Sequence, residues 1–494
     1  MYLLGLDIGT SSIKAAILDA ETGICSASCQ SPETEMEILA PKSGWAEQNP
    51  YIWWKHARLA ITAVIREAGI KPVDIKAIGI SYQMHGLVCV DKDMNILRNA
   101  IIWCDSRAVE IGNAAFTEIG NEKCLSHLLN SPGNFTASKL RWVKENEPGI
   151  YNRIYKVLLP GDFIVEKLTG ELKTTESGLS EGIFWDFKNR EPADFILEHY
   201  GFAKNLLPET SPTFGFQGSV TAKAAGMTGL KQGTPVCYRA GDQPNNAFSL
   251  NVLEPGEIAA TAGTSGVLCG ISDQVKYDLQ SRVNTFVHVN NSKTKTRNCI
   301  LFCVNGTGIL NSWIKKIAGE NMSYAQMNEM AAMVNPGSDG LLMLPFGNGA
   351  ERFLENPETG CSINNLNFNI HGKAHLFRAV QEGIVFAFFY GMKIMQNMGI
   401  VIKVIKAGKA NMFLSPVFCK TLADISGATI ELYNTDGAQG AARGAGVGAG
   451  IYKDFTTAFA GLKKVETITP SIDIQNLKQA YQAWEKELGK SGSV

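Results

Sequence analysis

Features of membrane-spanning, secreted and zinc-structured proteins are missing from this sequence. No run of about 18 uninterrupted apolar residues occurs, so we expect no membrane-spanning helix. The N-terminus lacks a basic stretch, and Asp7 interrupts its short apolar segments, which argues against a secretory signal. The 11 cysteines include no CxxC pair, which argues against structural zinc and favours reduced, packed thiols over disulfides. These absences predict a cytoplasmic protein without a membrane partner.

Several common nucleotide-binding and hydrolase signatures are missing as well. The formal net charge of −1 provides no long-range attraction for nucleic acid. Neither a GxxxxGK[ST] loop, nor a GxGxxG turn after the first strand, nor HExxH occurs. One GxSxG match spans residues 178–182, but the polar residues 173–177 precede it where a nucleophile elbow needs an apolar strand. We therefore predict a loop at residues 178–182.

The length and the hydrophobic pattern predict two α/β domains. The 494 residues exceed what a single hydrophobic core usually supports. Strands are predicted at 2–8, 13–19, 24–29, 75–80 and 401–407, and helices at 50–68, 308–317, 323–333, 374–398, 411–426 and 472–488. A turn cluster at 254–256 follows a stretch rich in Gly, Ser, Thr and Pro. We place the domains at residues 1–247 and 248–494.

Residues 435–450 consist mostly of Gly and Ala. This composition is typical of a flexible linker. The interleaved Ala and Val residues favour the alternative, a tightly packed helix whose small side chains let another element come close. We predict the helix.

Two similar turns of Gly, Thr and Ser carry the first chemical signal. Residues 5–12 and 261–266 each place such a turn between two apolar runs. Free backbone N–H groups and hydroxyls with little side-chain bulk suit a phosphate, so the repeat predicts two halves that hold one polyphosphate. The predicted phosphate contacts are Gly9, Thr10, Ser11, Ser12 and Lys14 in the first turn, and Gly263 and Thr264 in the second.

Asp7 lies at the end of the first predicted strand, beside the first turn. A carboxylate there can hold Mg²⁺ next to phosphate oxygens, directly or through water. The alternative is an Asp that caps its own turn. Lys14 either reaches the phosphates as a point charge or is a solvated strand lysine.

Asp242 and the segment around His85 carry the remaining chemistry. Asp242 follows a predicted strand and Gly241, at the domain boundary, which suits a general base for a substrate hydroxyl; the alternative is a helix cap. Gln83 and His85 lie between two strands, where they can bond sugar hydroxyls, or His85 is a satisfied structural residue. Asp105 contributes to this site or forms an internal ion pair with Arg107.

Residues 407–411 follow the predicted strand 401–407 and open a helix. Gly408 permits the close approach of a flat ring or a ribose, and Asn411 can cap the helix.

Taken in order, these pieces resemble the FGGY sugar kinases of the actin-like, ribonuclease-H-like ATPase superfamily. The resemblance covers nearly the whole chain, through the motifs Asp7-Ile8-Gly9-Thr10, Gly44-Trp45-Ala46-Glu47-Gln48-Asn49-Pro50, Gln83-Met84-His85-Gly86, Gly241-Asp242 and Gly263-Thr264-Ser265, with Gly308, Gly408 and Asn411. It implies an α/β fold of two actin-like domains with a deep cleft, and ATP and Mg²⁺ as cofactors. A homodimer is compatible with it.

The resemblance also implies roles for individual residues. Asp242 would be the catalytic base, and Asp7 would serve the Mg²⁺. Met84 and His85 would bind the sugar. Gly308, Gly408 and Asn411 would lie along the nucleotide. The motifs look most like those of the xylulokinase branch, which implies transfer of the γ-phosphoryl group of ATP to the pentulose D-xylulose.

Four positions depart from the pattern of that branch. Tyr82 replaces a usual Gly, Gln243 replaces a usual Asn, Ala407 replaces a Gly, and Gln381 takes a usually apolar place. Tyr82 and Gln243 would flank the sugar, so the alternatives include another kinase of the family, for gluconate, L-ribulose or a related ketose or polyol. A more distant alternative is a non-catalytic actin-like ATP-binding protein.

Overall fold

The computed structural model describes residues 1–490, which form two compact α/β units. The first unit contains Met1–Asn251, Phe286–Arg297 and Thr435–Leu462. The second contains Val252–Thr285, Asn298–Asn434 and the chain from Lys463 onward. Each unit has its own hydrophobic core.

The first unit is built on a six-stranded mixed sheet. Its strands, in spatial order, are Phe214–Ser219, Pro235–Gly241, Ile75–Tyr82, Tyr2–Ile8, Ile13–Asp19 and Cys25–Ser31. The strand Ile75–Tyr82 pairs in parallel with both of its neighbours, and the other pairings are antiparallel. The strands predicted at 2–8, 13–19 and 24–29 are therefore confirmed, and they form an antiparallel meander.

Helices and short strands complete the first unit. The helices are Pro50–Ala68, Val109–Ile119, Asn121–Leu128, Thr136–Asn146, Pro148–Tyr151, Pro160–Thr169, Glu176–Glu181, Asp194–Tyr200, Ala222–Thr228, Asp242–Ser249, Gly437–Gly448 and Phe455–Ala458. The short strands are Glu47–Gln48, Val88–Val90, Ala100–Ile101, Lys156–Leu158, Lys173–Thr175, Trp185–Asp186, Glu191–Pro192 and Glu209–Ser211. Local signals explain the first helix: Asn49 accepts a hydrogen bond from the Tyr51 N–H, Pro50 takes the first helical position, and Gly69 ends the helix at φ 64°.

The second unit repeats the strand order of the first. Its sheet runs Asn284–Val287, Asn298–Val304, Gly266–Ser272, Glu257–Ala262, Val404–Gly408, Thr429–Tyr433 and Lys464–Ile468. In both sheets an antiparallel meander of three strands is extended by two parallel strands that come later in the chain. The helices are Gly308–Ala318, Tyr324–Ala332, Lys373–Asn397, Pro416–Ser426 and Gln475–Lys490, with a hairpin of Leu342–Phe346 and Gly360–Asn364. The predicted duplication of the two halves is thus visible in the topology.

The Gly- and Ala-rich stretch forms the helix Gly437–Gly448, which packs on the first sheet. A Cβ added at Gly5 would overlap the carbonyl oxygen of Ala438, and one added at Gly79 would overlap that of Ala441. Small residues on both sides therefore allow the helix backbone to approach the strands directly. The compact units consequently differ from the linear division 1–247 and 248–494, since this helix belongs with the first sheet. The last four residues of that division lie outside the described part of the chain.

Two cysteines depart from the expectation of reduced thiols. Cys269 and Cys299 lie on neighbouring antiparallel strands and are joined by a disulfide, with a Cα–Cα distance of 5.6 Å. The sheet register brings together two residues that are 30 positions apart, which spacing alone does not reveal. Within residues 1–490, no helix is long and apolar enough to cross a membrane.

Candidate active site

The carboxyl ends of the central parallel strands in the first unit bring the predicted catalytic residues to one edge of the sheet. The strand Ile75–Tyr82 lies between the two others. Asp7 is paired with Ser81 on one side of it, and Gly241 is paired with Tyr82 on the other side. Ligands in open α/β sheets bind outside the carboxyl ends of the strands. The edge therefore presents Asp242, Asp7 and the segment after Tyr82 to a ligand.

Asp242 is the first residue of the helix Asp242–Ser249, directly after its strand. Burial, together with the negative charge of Asp7, raises the pKa of this carboxyl to about 7. A carboxylate that ionises near neutral pH suits a general base. Gly241 allows the close packing here, because a Cβ at this position would lie 2.6 Å from Cγ of Met84 and 3.1 Å from Oε2 of Glu181.

Asp7 interacts electrostatically with two further carboxylates. Burial raises its pKa, while a hydrogen bond from Ser81 and the charge of Lys14 oppose that shift and Asp436 adds to it. Asp436 caps the helix Gly437–Gly448 by accepting from the Gln439 N–H at 2.9 Å. Concentrated negative charge of this kind is relieved by a cation, and the oxygen donors suit Mg²⁺. Among residues 1–490, no cluster of three or more His, Cys, Asp and Glu side chains forms a metal cage, so any Mg²⁺ here would keep waters or phosphate oxygens as ligands.

The first turn forms between the strands Tyr2–Ile8 and Ile13–Asp19, as predicted. The Gly9 N–H donates to the Ser12 carbonyl at 3.1 Å, and Ser11 and Lys14 are exposed. Lys14 pairs with Asp7 across the two strands. The turn thus keeps backbone, hydroxyl and ammonium groups near the Asp7 carboxylate.

The hydroxyl of Thr10 is already engaged in a network. It accepts from Nε1 of Trp103 at 3.0 Å and donates to Oε1 of Gln83 at 3.1 Å. Gln83 is 2% exposed, and its backbone N–H donates to the Ile8 carbonyl. The network connects the first turn to the segment that precedes His85. The buried Gln83 therefore fixes the position of the turn relative to that segment.

Met84 and His85 follow the strand Ile75–Tyr82, beside the end of the strand Pro235–Gly241. Met84 is buried against Gly241, and His85 is half-buried with φ 62°. The His85 ring packs against Phe135 and Phe286, with ring centroids 4.8 and 5.2 Å away. Its Nδ1 donates to the backbone carbonyl of Glu181 at 2.9 Å.

Two residues predicted at the sugar are buried elsewhere. Asp105 has no exposed surface; it accepts from the Ala46 N–H and pairs with Arg107 at 2.7 Å, which is the ion-pair alternative. Tyr82, expected to flank the sugar, is also fully buried, and its ring lies against Gly161. A side chain without exposed surface makes no direct contact with a substrate. Gln243, by contrast, is half-buried beside Asp242.

Four of the predicted nucleotide residues line one cavity of about 440 Å³ in the second unit. They are Gly263, Thr264, Gly308 and Asn411. The Gly308 N–H donates to the Gly263 carbonyl at 2.8 Å, and a Cβ on Gly308 would overlap that oxygen, so glycine lets the helix Gly308–Ala318 begin directly on the turn. Thr264 is exposed at the rim. The cavity has the size of a small-ligand site, with backbone amides and side-chain amides around it.

Residues 407–411 differ in detail from the prediction. Gly408 ends the strand Val404–Gly408. Asn411 does not cap the following helix, because it adopts φ 53° in a short 3₁₀ turn, Asn411–Leu414. Ser415 caps that helix by accepting from the Phe418 N–H, and the helix begins at Pro416. Asn411 is thereby left at the cavity wall.

Family models decide the class of the protein. The model of the N-terminal domain of the FGGY family of carbohydrate kinases matches residues 2–249, and that of the C-terminal domain matches residues 258–451. The chain belongs to the FGGY family of carbohydrate kinases. It is therefore an ATP-dependent sugar phosphotransferase, and the non-catalytic actin-like alternative is excluded.

The proteins similar to this FGGY kinase include several that are named as kinases of ketoses. It is 28% identical over 406 residues to a xylulose kinase of Bacillus subtilis (strain 168), which covers 81% of this chain and 78% of that protein. It is 30% identical over 504 residues to an L-xylulose/3-keto-L-gulonate kinase of Escherichia coli (strain K12), covering 98% and 96%. The crystal structure of a xylulose kinase from Rhodospirillum rubrum superposes with a TM-score of 0.89 at 25% identity and covers 99% of both chains. The predicted two-domain, actin-like α/β fold is confirmed.

Two residues that contact His85 escaped the sequence reasoning. Glu181 ends the helix Glu176–Glu181, in the segment predicted to be a loop; Thr175 caps that helix through the Gly178 N–H. Phe286 lies in the part of the chain assigned by sequence to the second domain, yet it packs on His85. Buried Glu is rare enough to signal a function, but nothing in the sequence shows that Glu181 is buried.

Proposed function

We propose that this kinase transfers the γ-phosphoryl group of ATP to a primary hydroxyl of D-xylulose, giving D-xylulose 5-phosphate and ADP. The observation that carries the proposal is the Asp242 carboxyl, whose pKa of about 7 lies in the range of a general base. It stands beside Asp7 and next to Met84, in a chain whose relatives include xylulose kinases.

In this mechanism Asp242 accepts the proton of the attacking hydroxyl. Met84 and His85 hold the sugar so that this hydroxyl faces the carboxylate. Holding the reacting groups in this geometry lowers the entropic part of the barrier. Mg²⁺, held by Asp7 through oxygen ligands, would neutralise charge on the phosphates. The backbone N–H groups of the first turn and the Lys14 ammonium would also stabilise the negative charge of the phosphates. ATP is bound through the turn at Gly263–Thr264 and the cavity wall near Gly308 and Asn411.

The identity of the base is tested by Asp242→Asn, a change that preserves shape and removes the proton acceptor. We expect kcat to fall by about 10²–10⁴-fold, the usual contribution of a positioned base, with ADP binding unchanged in calorimetric titration. The matched control is Asp194→Asn, which alters an exposed carboxylate paired with Lys204. Near-normal turnover of the Asp242 variant would refute the assignment.

A second substrate has support of its own. The relative from Escherichia coli that acts on L-xylulose or 3-keto-L-gulonate matches almost the whole chain. ADP release should therefore be measured across D-xylulose, L-xylulose, L-ribulose, 3-keto-L-gulonate, gluconate and glycerol. The proposal requires D-xylulose to have the highest kcat/KM, and a higher value for another member of the panel would make that compound the proposed substrate.

We also retain a homodimer as a proposal, which sedimentation velocity can test.

A further inference from the structure

Gln381, one of the departures from the xylulokinase branch, joins two walls of the cavity in the second unit. The residue is 1% exposed on the helix Lys373–Asn397. Its side chain is bonded at both ends: Oε1 accepts from Oγ of Ser415 at 2.6 Å, and Nε2 donates to Oδ1 of Asn328 at 3.0 Å. Both partners line the cavity of about 440 Å³. A buried amide in a usually apolar place therefore holds two residues of that cavity from behind.

The hydrogen bonds of Ser415 determine which end of the Gln381 amide faces which partner. The Ser415 oxygen accepts from the Phe418 N–H, and a hydroxyl has one hydrogen to donate. Within residues 1–490 the structure gives that hydrogen one acceptor, Oε1 of Gln381. The opposite orientation of the amide would leave the hydroxyl hydrogen of a residue that is 3% exposed without an acceptor, which is costly. Nε2 consequently faces Asn328.

The orientation of Gln381 in turn fixes the side-chain amide of Asn328. Because Nε2 of Gln381 is a donor, the Asn328 atom that faces it is the carbonyl oxygen Oδ1. In the part of the chain that the structure describes, Nδ2 of Asn328 has no hydrogen-bond partner, and this half-buried residue lines the cavity. Asn328 thus offers N–H donors, rather than an acceptor, to a molecule in the cavity.

An aromatic ring lies on the same face of the helix as Asn328. Tyr324 begins the helix Tyr324–Ala332 and precedes Asn328 by four positions, so the two side chains are neighbours. Tyr324 also lines the cavity. The Lys315 ammonium lies over its ring at 4.6 Å, which leaves the opposite face of a residue that is 44% exposed. A flat ring with nitrogen acceptors at its edge, such as adenine, matches an aromatic face beside an amide donor.

We propose that Asn328 contacts the nucleotide, donating a hydrogen bond from Nδ2 to a ring nitrogen of adenine, and that Gln381 is a positioning residue that keeps the Asn328 amide in this orientation. The proposal rests on the proposed function, which places ATP in this cavity and its phosphates at the turn Gly263–Thr264. It assigns the base to the helix Tyr324–Ala332. An apolar residue in place of Gln381 would let the amide turn, and a carbonyl oxygen would then face the acceptor nitrogens of the base.

The first test removes each partner of this hydrogen bond. Calorimetric titration measures the Kd of ADP with Mg²⁺ and of its 1-deaza, 3-deaza and 7-deaza analogues, in which a C–H group replaces one ring nitrogen. The wild type should bind one of the three about 3–10-fold more weakly than ADP, as expected for one hydrogen bond. Asn328→Ala should bind that analogue and ADP equally. Glu329→Ala, at the exposed neighbouring position, should leave all four affinities unchanged.

The second test concerns the positioning role of Gln381. Gln381→Met keeps the length of the buried side chain and removes both of its hydrogen bonds. We expect the preference for ADP over the weakly bound analogue to fall toward equal affinity, because the Asn328 amide then adopts both orientations. A loss of stability alone would not change this ratio of affinities. The control is Gln396→Met, at an exposed position of the same helix, which should keep the wild-type preference.

The outcomes separate the parts of the proposal. If Asn328→Ala weakened ADP and all three analogues equally, the contact with adenine would be wrong. An unchanged preference in Gln381→Met would overturn the positioning role. Should Gln381→Met fail to fold, Ser415→Ala removes the donor to Oε1 and carries the same expectation.

Gly308→Ala distinguishes this proposal from the proposed function, because its Cβ would overlap the Gly263 carbonyl at the cavity wall. If ADP binding survived that change, the cavity would not hold the nucleotide and both proposals would be wrong. If Gly308→Ala abolished ADP binding while Asn328→Ala had no effect on the preference among the analogues, the nucleotide cavity would stand and only the role of Asn328 would be wrong.

Discussion

At the scale of single residues, the proposed mechanism depends on carboxylates that raise one another's pKa. Asp7 raises the pKa of Asp242, and Asp436 raises that of Asp7. Below its pKa of about 7, Asp242 is protonated and could not act as the proposed general base. We therefore expect kcat/KM for the sugar to rise with pH and to level off above about pH 7, in a profile measured at saturating Mg-ATP.

The contribution of Asp7 to this profile is separable. Asp7→Asn removes a negative neighbour, so the pKa of Asp242 should fall and the acid limb should move to lower pH. The same variant should need more Mg²⁺ for half-maximal rate. An acid limb that stays in place would show that burial alone sets the pKa of Asp242.

The raised pKa of Asp242 also makes the stability of the fold depend on pH. Because its folded-state pKa is raised from the ordinary 3.8, the group favours folding at low pH, and this contribution is lost as pH rises through about 7. Asp242→Asn is neutral at every pH. Its melting temperature should therefore equal or exceed that of the wild type at about pH 8, and the difference should shrink at about pH 5. A variant that melts well below the wild type at both pH values would contradict this account.

The sequence pointed to candidate residues at the ends of strands and gave no sign of the residues that pack behind them. Asp7 and Asp242 became candidates because each lies at the end of a predicted strand. Glu181 and Phe286 lie about 100 and 200 positions away from His85 in the chain, and only the tertiary fold brings them to its ring. For Asp105 the sequence left the sugar site and an ion pair with Arg107 open, because a carboxylate near an Arg has the same pattern in both cases; the structure shows the buried ion pair.

At the scale of elements, glycines decide how closely the helix Gly437–Gly448 approaches the first sheet. Gly79→Ala would drive a Cβ into the carbonyl of Ala441, where neither backbone can move easily. We expect a loss of about 1–3 kcal/mol in unfolding free energy, typical of overpacking. The matched control is Gly226→Ala, in the helix Ala222–Thr228, where an added Cβ meets nothing within 4 Å.

That control should be neutral or stabilising by up to about 1 kcal/mol, since Ala is the better helix former. Urea denaturation of both variants separates the two effects. Equal stabilities would mean that the helix shifts away from the strands without cost. The helix predicted over a linker for residues 435–450 is present, and Gly5 and Gly79 on the strands are what allow its close approach, which composition alone does not show.

At the scale of the whole molecule, the chain does not keep to a linear division into domains. Residues 286–297 and 435–462 belong to the first unit, although both follow the start of the second. Sequence patterns recover the order of the elements but not the sheet on which a late helix packs. The duplication itself was recoverable, because the same turn opens each half and the same strand order follows it.

Two units with separate cores should respond separately to ligands. The proposed sugar residues belong to the first unit, and the nucleotide cavity belongs to the second. A ligand that binds only the native state stabilises by about 2.7 kcal/mol at 100 times its Kd. In scanning calorimetry we expect ADP with Mg²⁺ and D-xylulose each to raise the unfolding temperature, and Gly308→Ala to abolish the ADP effect alone, since its Cβ would overlap the Gly263 carbonyl. His85→Ala should abolish the sugar effect alone. If either substitution removed both effects, the assignment of one ligand to each unit would be wrong, because selective loss is what distinguishes two binding surfaces from one shared surface.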